Sequence, residues 1–154
     1  MIYLDTSYIA KCYLREPGTK QILAWLEGKT GLACCSHGRL ELYAAIKRHV
    51  REGRLSQRQA AGSFRLLQRD ERAGIWHWIP VSEGLIREAC RRVESLQATV
   101  LVRAADALHL TCAAENGFTT IYSHDTHMLA ASRYFTLEPQ DILRDASEFR
   151  WPEE

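Results

Sequence analysis

Short apolar segments alternate with longer amphipathic segments along almost the whole chain. The apolar segments are the length of β-strands, and the amphipathic segments repeat their apolar residues at helical spacing. The predicted strands are 2–4, 32–35, 76–81, 118–123 and 134–137, and helices are predicted after 5–7, after 17–18, and over 37–51, 56–72, 82–96, 103–116 and 128–132. Strands that are separated by helices pair in parallel. We therefore predict an α/β fold, a three-layer α/β/α sandwich around a central, mainly parallel sheet.

The length and charge of the chain limit its organisation and its partners. A chain of 154 residues can bury one substantial core, so a single domain over residues 1–154 is predicted. The net charge of +1 gives no general attraction for nucleic acid, so contacts with phosphate must be local. Arg15, Arg39 and Arg103 are candidates for such contacts, whereas the basic run over 47–58 is interpreted as a solvated helix face.

The cysteines and the apolar runs predict where the protein is found. The five cysteines are odd in number and show no CxxC spacing, so they are interpreted as small buried side chains in a reducing cytosol. Charged residues interrupt every apolar run before it reaches the length of a membrane span, and the N-terminus lacks the pattern of an export signal. The prediction is a cytoplasmic protein that does not contact a membrane.

Four acidic residues are expected to meet in the folded chain. Asp5 and Asp125 each follow a predicted strand, Glu41 lies in the first turns of a helix, and Asp106 lies one turn into another. In an open parallel sheet, loops and helix starts converge beyond the carboxyl ends of the strands. Carboxylates that converge repel one another unless cations hold them, so this group predicts a divalent metal site.

Each acidic residue also has an ordinary structural explanation. Asp5 could cap a helix, Asp125 could lie in a turn, and Glu41 and Asp106 could lie on solvated helix faces. Asp106, however, shares a helix face with apolar residues and has no basic residue on that face to pair with it. All four structural explanations would have to hold together, and this favours the metal site.

Five segments of the chain carry motifs that occur together in one family. They are Ile2-Tyr3-Leu4-Asp5-Thr6-Ser7, Arg15-Glu16-Pro17-Gly18, Glu41-Leu42-Tyr43-Ala44-Ala45, Arg103-Ala104-Ala105-Asp106-Ala107-Leu108-His109-Leu110 and Ser123-His124-Asp125. On these segments the chain resembles the PIN-domain family and, within it, the VapC toxins of bacterial toxin-antitoxin pairs. The first and fourth segments are specific in combination, and the resemblance covers nearly the whole chain.

The resemblance implies an endoribonuclease that depends on magnesium or manganese and uses a two-metal-type mechanism. The family's acidic quartet falls on Asp5, Glu41, Asp106 and Asp125, which would be catalytic and would bind the metal. Of these, Asp5 and Asp106 would be the central ligands. The resemblance places supporting or phosphate-contacting hydroxyl groups at Thr6, Ser7 and Ser123. It also implies an RNA substrate, a cognate antitoxin and a homodimer.

One departure and several alternatives accompany this interpretation. Thr126 and His127 follow the last acid, where family members often carry a basic or second acidic residue, and this leaves the second metal position open. His109 could approach the acidic site, although a structural role in the core is favoured. A phosphatase of the haloacid-dehalogenase type is set aside, because Ser7 stands where it needs a second Asp. An RNA-processing PIN nuclease without an antitoxin and a catalytically silent binding module stay as alternatives.

Overall fold

The computed structural model of the protein describes residues 1–145, in which five strands are joined by helices. The strands are β1 (Ile2–Leu4), β2 (Leu32–Cys35), β3 (Trp76–Ile79), β4 (Thr120–Tyr122) and β5 (Glu138–Gln140). The helices are α1 (Thr6–Tyr13), α2 (Thr19–Leu26), α3 (Ser36–Arg51), α4 (Gln57–Arg72), α5 (Glu83–Ser95), α6 (Ala104–Glu115), α7 (Thr126–Ser132) and α8 (Ile142–Asp145). A single 3₁₀ turn, Arg133–Phe135, follows α7.

The five strands form one parallel sheet in the order β3-β2-β1-β4-β5. Tyr3 of the central strand β1 lies opposite Ala33 of β2 on one side and Ile121 of β4 on the other. The chain builds outward from β1 to β3 and then returns to the other side of β1 with β4 and β5. The reversal between β1 and β4 is the place where parallel α/β sheets bind ligands.

Two apolar cores cover the two faces of this sheet. Neighbouring strand residues point to opposite faces, so Tyr3 packs with residues of α5, α6 and α7, whereas Leu4 packs with residues of α1 to α4. Both side chains are fully buried. The prediction of a three-layer α/β/α sandwich with a parallel sheet is therefore confirmed. None of the helices in the described part of the chain is long and apolar enough to cross a membrane.

Polar side chains fix the starts of several helices. Asp5 accepts hydrogen bonds from the backbone N–H groups of Ser7 and Tyr8 at the start of α1, and Ser56 forms a capping box with Gln59 at the start of α4. Helix α3 has no such side-chain cap, because Cys35 precedes its first residue, Ser36.

Two other predictions are wrong. A last strand was predicted over 134–137, but the chain there forms the 3₁₀ turn and then a left-handed residue, Thr136, with φ of 61°. The strand lies at Glu138–Gln140, where every side chain is exposed and no apolar alternation marks it. All five cysteines are free thiols, but Cys90 is exposed rather than buried and Cys12 is only half-buried.

The start of α3 packs so closely that only glycine fits at position 38. A Cβ atom on Gly38 would lie 2.6 Å from Cys34 Sγ, 2.8 Å from Thr6 Oγ1 and 2.9 Å from His109 Cε1. Each distance is shorter than real Cβ atoms tolerate, so the neighbouring groups would have to move.

We therefore expect Gly38→Ala to lower the free energy of unfolding by roughly 1–3 kcal/mol, the usual effect of overpacking. Gly62→Ala in α4 is the matched control, because its Cβ would meet nothing nearer than 4.0 Å, and it should stabilise the helix by up to about 1 kcal/mol. Urea denaturation of both variants tests this pair. Equal effects of the same sign would contradict the packing described here.

Candidate functional site

A cleft of about 640 Å³ opens beyond the carboxyl ends of β1 and β4, and all four predicted acidic residues line it. Asp5 directly follows β1, and Asp125 lies three residues beyond β4 at the start of α7. Glu41 enters from α3, and Asp106 enters from the first turn of α6. Four separate segments of the chain therefore bring carboxylates to the sheet's reversal point.

Asp5 is the most buried of the four, with 3% of its surface exposed. Its Oδ1 accepts hydrogen bonds from the Ser7 hydroxyl at 2.6 Å and from backbone N–H groups, and its Oδ2 accepts one from the Ser123 hydroxyl at 2.7 Å. Burial raises the pKa of Asp5 above its ordinary value, and the two serine bonds only partly oppose this effect. Because a carboxylate can accept about four hydrogen bonds, Oδ2 can still bind another group.

Glu41 is held by two side chains that the acidic pattern alone does not include. Its Oε2 accepts a hydrogen bond from the Thr6 hydroxyl at 2.6 Å and lies 2.9 Å from Nε2 of His109. Burial raises the pKa of Glu41, but the bonds from His109 and Thr6 outweigh it, so the pKa lies below its ordinary value. This carboxylate is therefore charged and fixed in direction.

His109 is both a core residue and part of the cleft, and only 1% of its surface is exposed. Its Nδ1 lies 3.0 Å from the Tyr3 hydroxyl, which accepts a hydrogen bond from the backbone N–H of Cys35. Burial lowers the pKa of His109, but Cys34 and Glu41 outweigh this effect and hold the pKa well above its ordinary value, so Nε2 carries a proton that faces Glu41. The structural role favoured for His109 and its approach to the site therefore occur together.

The carboxylates of Asp106 and Asp125 repel each other electrostatically. Asp106 is 7% exposed, and its Oδ2 accepts a hydrogen bond from the backbone N–H of Arg103 at 3.3 Å. Burial and the charge of Asp125 raise the pKa of Asp106 above its ordinary value, although the Arg103 bond opposes them. Asp125 caps α7 through Oδ1, and its Oδ2 lies 3.8 Å from the Arg103 guanidinium.

The donor atoms of the cleft fit a hard divalent cation in kind, but they are not yet gathered around one point. Within residues 1–145, no three carboxylate, imidazole or thiol groups are close enough to hold a metal ion together. Glu41 is turned toward Thr6 and His109, and Asp125 faces Arg103. Burial raises the pKa of both Asp5 and Asp106, and a cation bound by their carboxylate oxygens would compensate the negative charge there.

The three predicted hydroxyl groups all lie at the acids. Ser7 and Ser123 donate to the two oxygens of Asp5, and Thr6 donates to Glu41. Ser123 is fully buried, and its hydroxyl also accepts a hydrogen bond from the backbone N–H of Asp125 at 2.9 Å. Ser123 thus connects the first acid of the chain to the last.

The basic residues differ from the prediction. Of the three candidate phosphate contacts only Arg103 lines the cleft, whereas Arg39 pairs with Glu71. The prediction did not include the other basic residues that line it, which are Lys11, Arg48 and Arg51. A signal was present for two of them, because Arg48 and Arg51 lie seven and ten residues after Glu41 and so share its helix face.

Comparisons with known proteins agree on one family. The model of the PIN domain matches residues 2–134. The chain is 28% identical over 140 residues to ribonuclease VapC47 of Mycobacterium tuberculosis, and the match covers 86% of this chain and 90% of that protein.

Two solved structures share the fold at lower identity. VapC20 of Mycobacterium tuberculosis, a toxin that cleaves the sarcin-ricin loop, has a TM-score of 0.67 at 17% identity, over 85% of this chain and 95% of that one. A chain of VapBC2 from Rickettsia felis, bound to a fragment of its promoter DNA, has a TM-score of 0.64 at 17% identity, over 92% of this chain and 98% of that one.

The repulsion at Asp106 predicts a variant that is more stable than the natural protein. Asp106→Asn keeps an oxygen for the Arg103 bond and removes the buried charge. Without divalent cations, we therefore expect its free energy of unfolding at neutral pH to be higher than that of the natural protein by roughly 0.5–2 kcal/mol. Folding raises the pKa of Asp106, so the natural protein loses stability as pH rises from the unfolded pKa, about 3.9, through the folded pKa. The advantage of the variant should therefore be absent below that range and complete above it.

Urea denaturation over a series of pH values measures this difference. Glu94→Gln on the exposed surface of α5 is the control, and it should change stability by less than about 0.5 kcal/mol. If Asp106→Asn proved less stable than the natural protein at neutral pH, the uncompensated charge at this site would be disproved.

Proposed function

Because the chain belongs to the PIN-domain family, we propose that it is an endoribonuclease that depends on magnesium or manganese and acts as the toxin of a toxin-antitoxin pair. One observation carries the proposal: acidic side chains from four separate segments line a single cleft at the reversal point of the sheet. The similarity to a protein named as a ribonuclease, over nine-tenths of that protein's length, supports the reaction.

The proposed metal site assigns each acid a role. Asp5 and Asp106 would hold the cation directly, because both carry buried, uncompensated charge. Glu41 and Asp125 would complete the site directly or through water. Bound there, a divalent cation would supply an activated water and would stabilise the charge that develops on the phosphodiester. The two-metal-type mechanism stays a prediction.

The neighbouring side chains position these acids. Ser7 and Ser123 fix the Asp5 carboxylate from both sides, so its direction is set before substrate arrives. His109 presents the Nε2 proton to Glu41 and holds that carboxylate against the wall of the cleft. The Arg103 guanidinium, exposed beside Asp125, would contact a phosphate oxygen of the substrate.

The partner part of the proposal comes from relatives. Solved structures with this fold include VapBC2 and a FitAB complex bound to DNA. We propose that a small antitoxin protein binds this chain and blocks the acidic cleft. The homodimer and the cytoplasmic location stay predictions from the sequence.

The alternatives predict different observations. An RNA-processing nuclease would cleave RNA without arresting growth, and no small gene directly upstream would encode a protein that binds this chain. A silent binding module would bind RNA but leave it uncut, and Asp5→Asn would then change nothing. The carboxylates in the cleft favour catalysis, because burying Asp5 and Asp106 without a cation costs stability.

We expect the purified protein to cleave single-stranded RNA when magnesium or manganese is added and to stop when the metal is chelated. The products should carry a 5′-phosphate and a 3′-hydroxyl. Asp5→Asn and Asp106→Asn should each lower the rate at least about 100-fold, because each removes charge that stabilises the transition state. Sequencing the RNA ends after brief induction gives the cleavage sites.

The control for these variants is again Glu94→Gln, which should keep the full rate because Glu94 lies outside the cleft. If RNA stayed intact with both metals, or if Asp5→Asn cleaved as fast as the natural protein, the proposed nuclease would be wrong.

A further inference from the structure

The cleft continues beyond the acids along one face of α3. Glu41, Ala44, Ala45, Arg48 and Arg51 all line it, at the spacing that places residues on one side of a helix. At a rise of 1.5 Å per residue, Arg48 lies about 10 Å and Arg51 about 15 Å along the helix from Glu41. The same wall therefore has an acidic end and a basic end.

In the described part of the chain, the two arginines of the basic end form no salt bridge. Glu16 also lines the cleft there, but its two oxygens lie 3.4 Å from Lys11 Nζ and 3.1 Å from His49 Nε2. Among residues 1–145, no carboxylate lies within salt-bridge distance of Arg48 or Arg51, and both side chains are exposed. The exposed Glu52 carboxylate interacts electrostatically with both arginines, but its salt bridge is to Arg54, so both guanidinium groups can still bind an anion.

Lys11 adds an ammonium group to this end from a second helix, α1. Only 6% of its surface is exposed, which is unusual for a lysine. Its contact with Glu16 at 3.4 Å compensates the buried charge and fixes the ammonium at the cleft. The basic end is therefore built from two helices.

Small side chains line the cleft between its acidic and basic ends. Ala10, Ala44 and Ala45 line it, and none of them carries an atom beyond Cβ. Between Glu41 and Arg48, the residues by which α3 lines the cleft are therefore small.

From this arrangement we infer that Arg48 and Arg51, with Lys11, form a subsite for the RNA backbone on one side of the scissile phosphate. The inference rests on the proposed nuclease function, which places the scissile phosphate at the acids. Guanidinium groups bind phosphate oxygens in two-pronged geometry without reading the base, so the subsite would act on any sequence. It would position the strand and would offset the repulsion between the polyanion and the acidic end.

Binding of a labelled, single-stranded oligouridylate tests the subsite. The experiment uses the Asp5→Asn background with magnesium, in which any cleavage is slow enough for RNA to stay intact during the binding measurement, whether or not the natural protein is a nuclease. Arg48→Gln/Arg51→Gln should weaken binding roughly tenfold or more. The slope of log affinity against log salt should become shallower by roughly 0.7 for each phosphate that the variant no longer neutralises.

The matched control removes the same charge outside the cleft. Lys47→Gln/Arg58→Gln changes two exposed basic residues that do not line it, and it should leave affinity and salt slope nearly unchanged. Equal losses of affinity in both double variants, or no loss in either, would overturn the subsite.

Two further readouts separate an RNA subsite from other uses of the basic end. In the natural protein, if it cleaves RNA, the arginine variant should raise KM with little change in kcat, as expected for binding that is equal in substrate and transition state. If poly-glutamate binding depended on the two arginines while oligouridylate binding did not, the basic end would serve an acidic peptide and the inference would be wrong.

Discussion

The buried carboxylate of Asp5 is the interaction on which the rest of the site depends. It lies at the end of the central strand, caps α1, and accepts a hydrogen bond from Ser123 beyond the neighbouring strand β4. These bonds join the two halves of the sheet at its reversal point. They do not fully compensate the buried charge, because the pKa of Asp5 stays above its ordinary value. The fold thus gives up stability where a cation would restore it.

Helix α3 supplies both acidic and basic side chains to the cleft. Glu41, near the start of α3, is fixed by Thr6 and His109, whereas Arg48, near its end, forms no salt bridge among the described residues. Acids that gather a cation would otherwise repel a polyanion, and the basic end in the same cleft would offset that repulsion for a bound RNA. Near the start of the same helix, Gly38 lies so close to His109 that a Cβ atom would not fit between them.

Much of the fold could be predicted from the sequence, because the spacing of apolar residues and the residues that cap helices determine the secondary structure of each segment locally. The resemblance to the PIN-domain family is likewise confirmed by the match over residues 2–134. The last strand could not be predicted, because all three side chains of Glu138–Gln140 are exposed and no apolar residue marks the segment as a strand. The contact between His109 and Glu41 joins residues far apart in sequence, so no local sequence pattern predicts it. Arg48 and Arg51 are exposed, as the basic run predicts, but the run alone does not show that they line the cleft.

Locating manganese in crystals of the natural protein, by its anomalous scattering, tests the proposed metal site most directly. We predict a peak in the cleft within bonding distance of carboxylate oxygens of Asp5 and Asp106, and loss of that peak in Asp106→Asn. Manganese bound elsewhere, or a cleft that stays without a peak at saturating manganese while the acids keep their present hydrogen bonds, would contradict it.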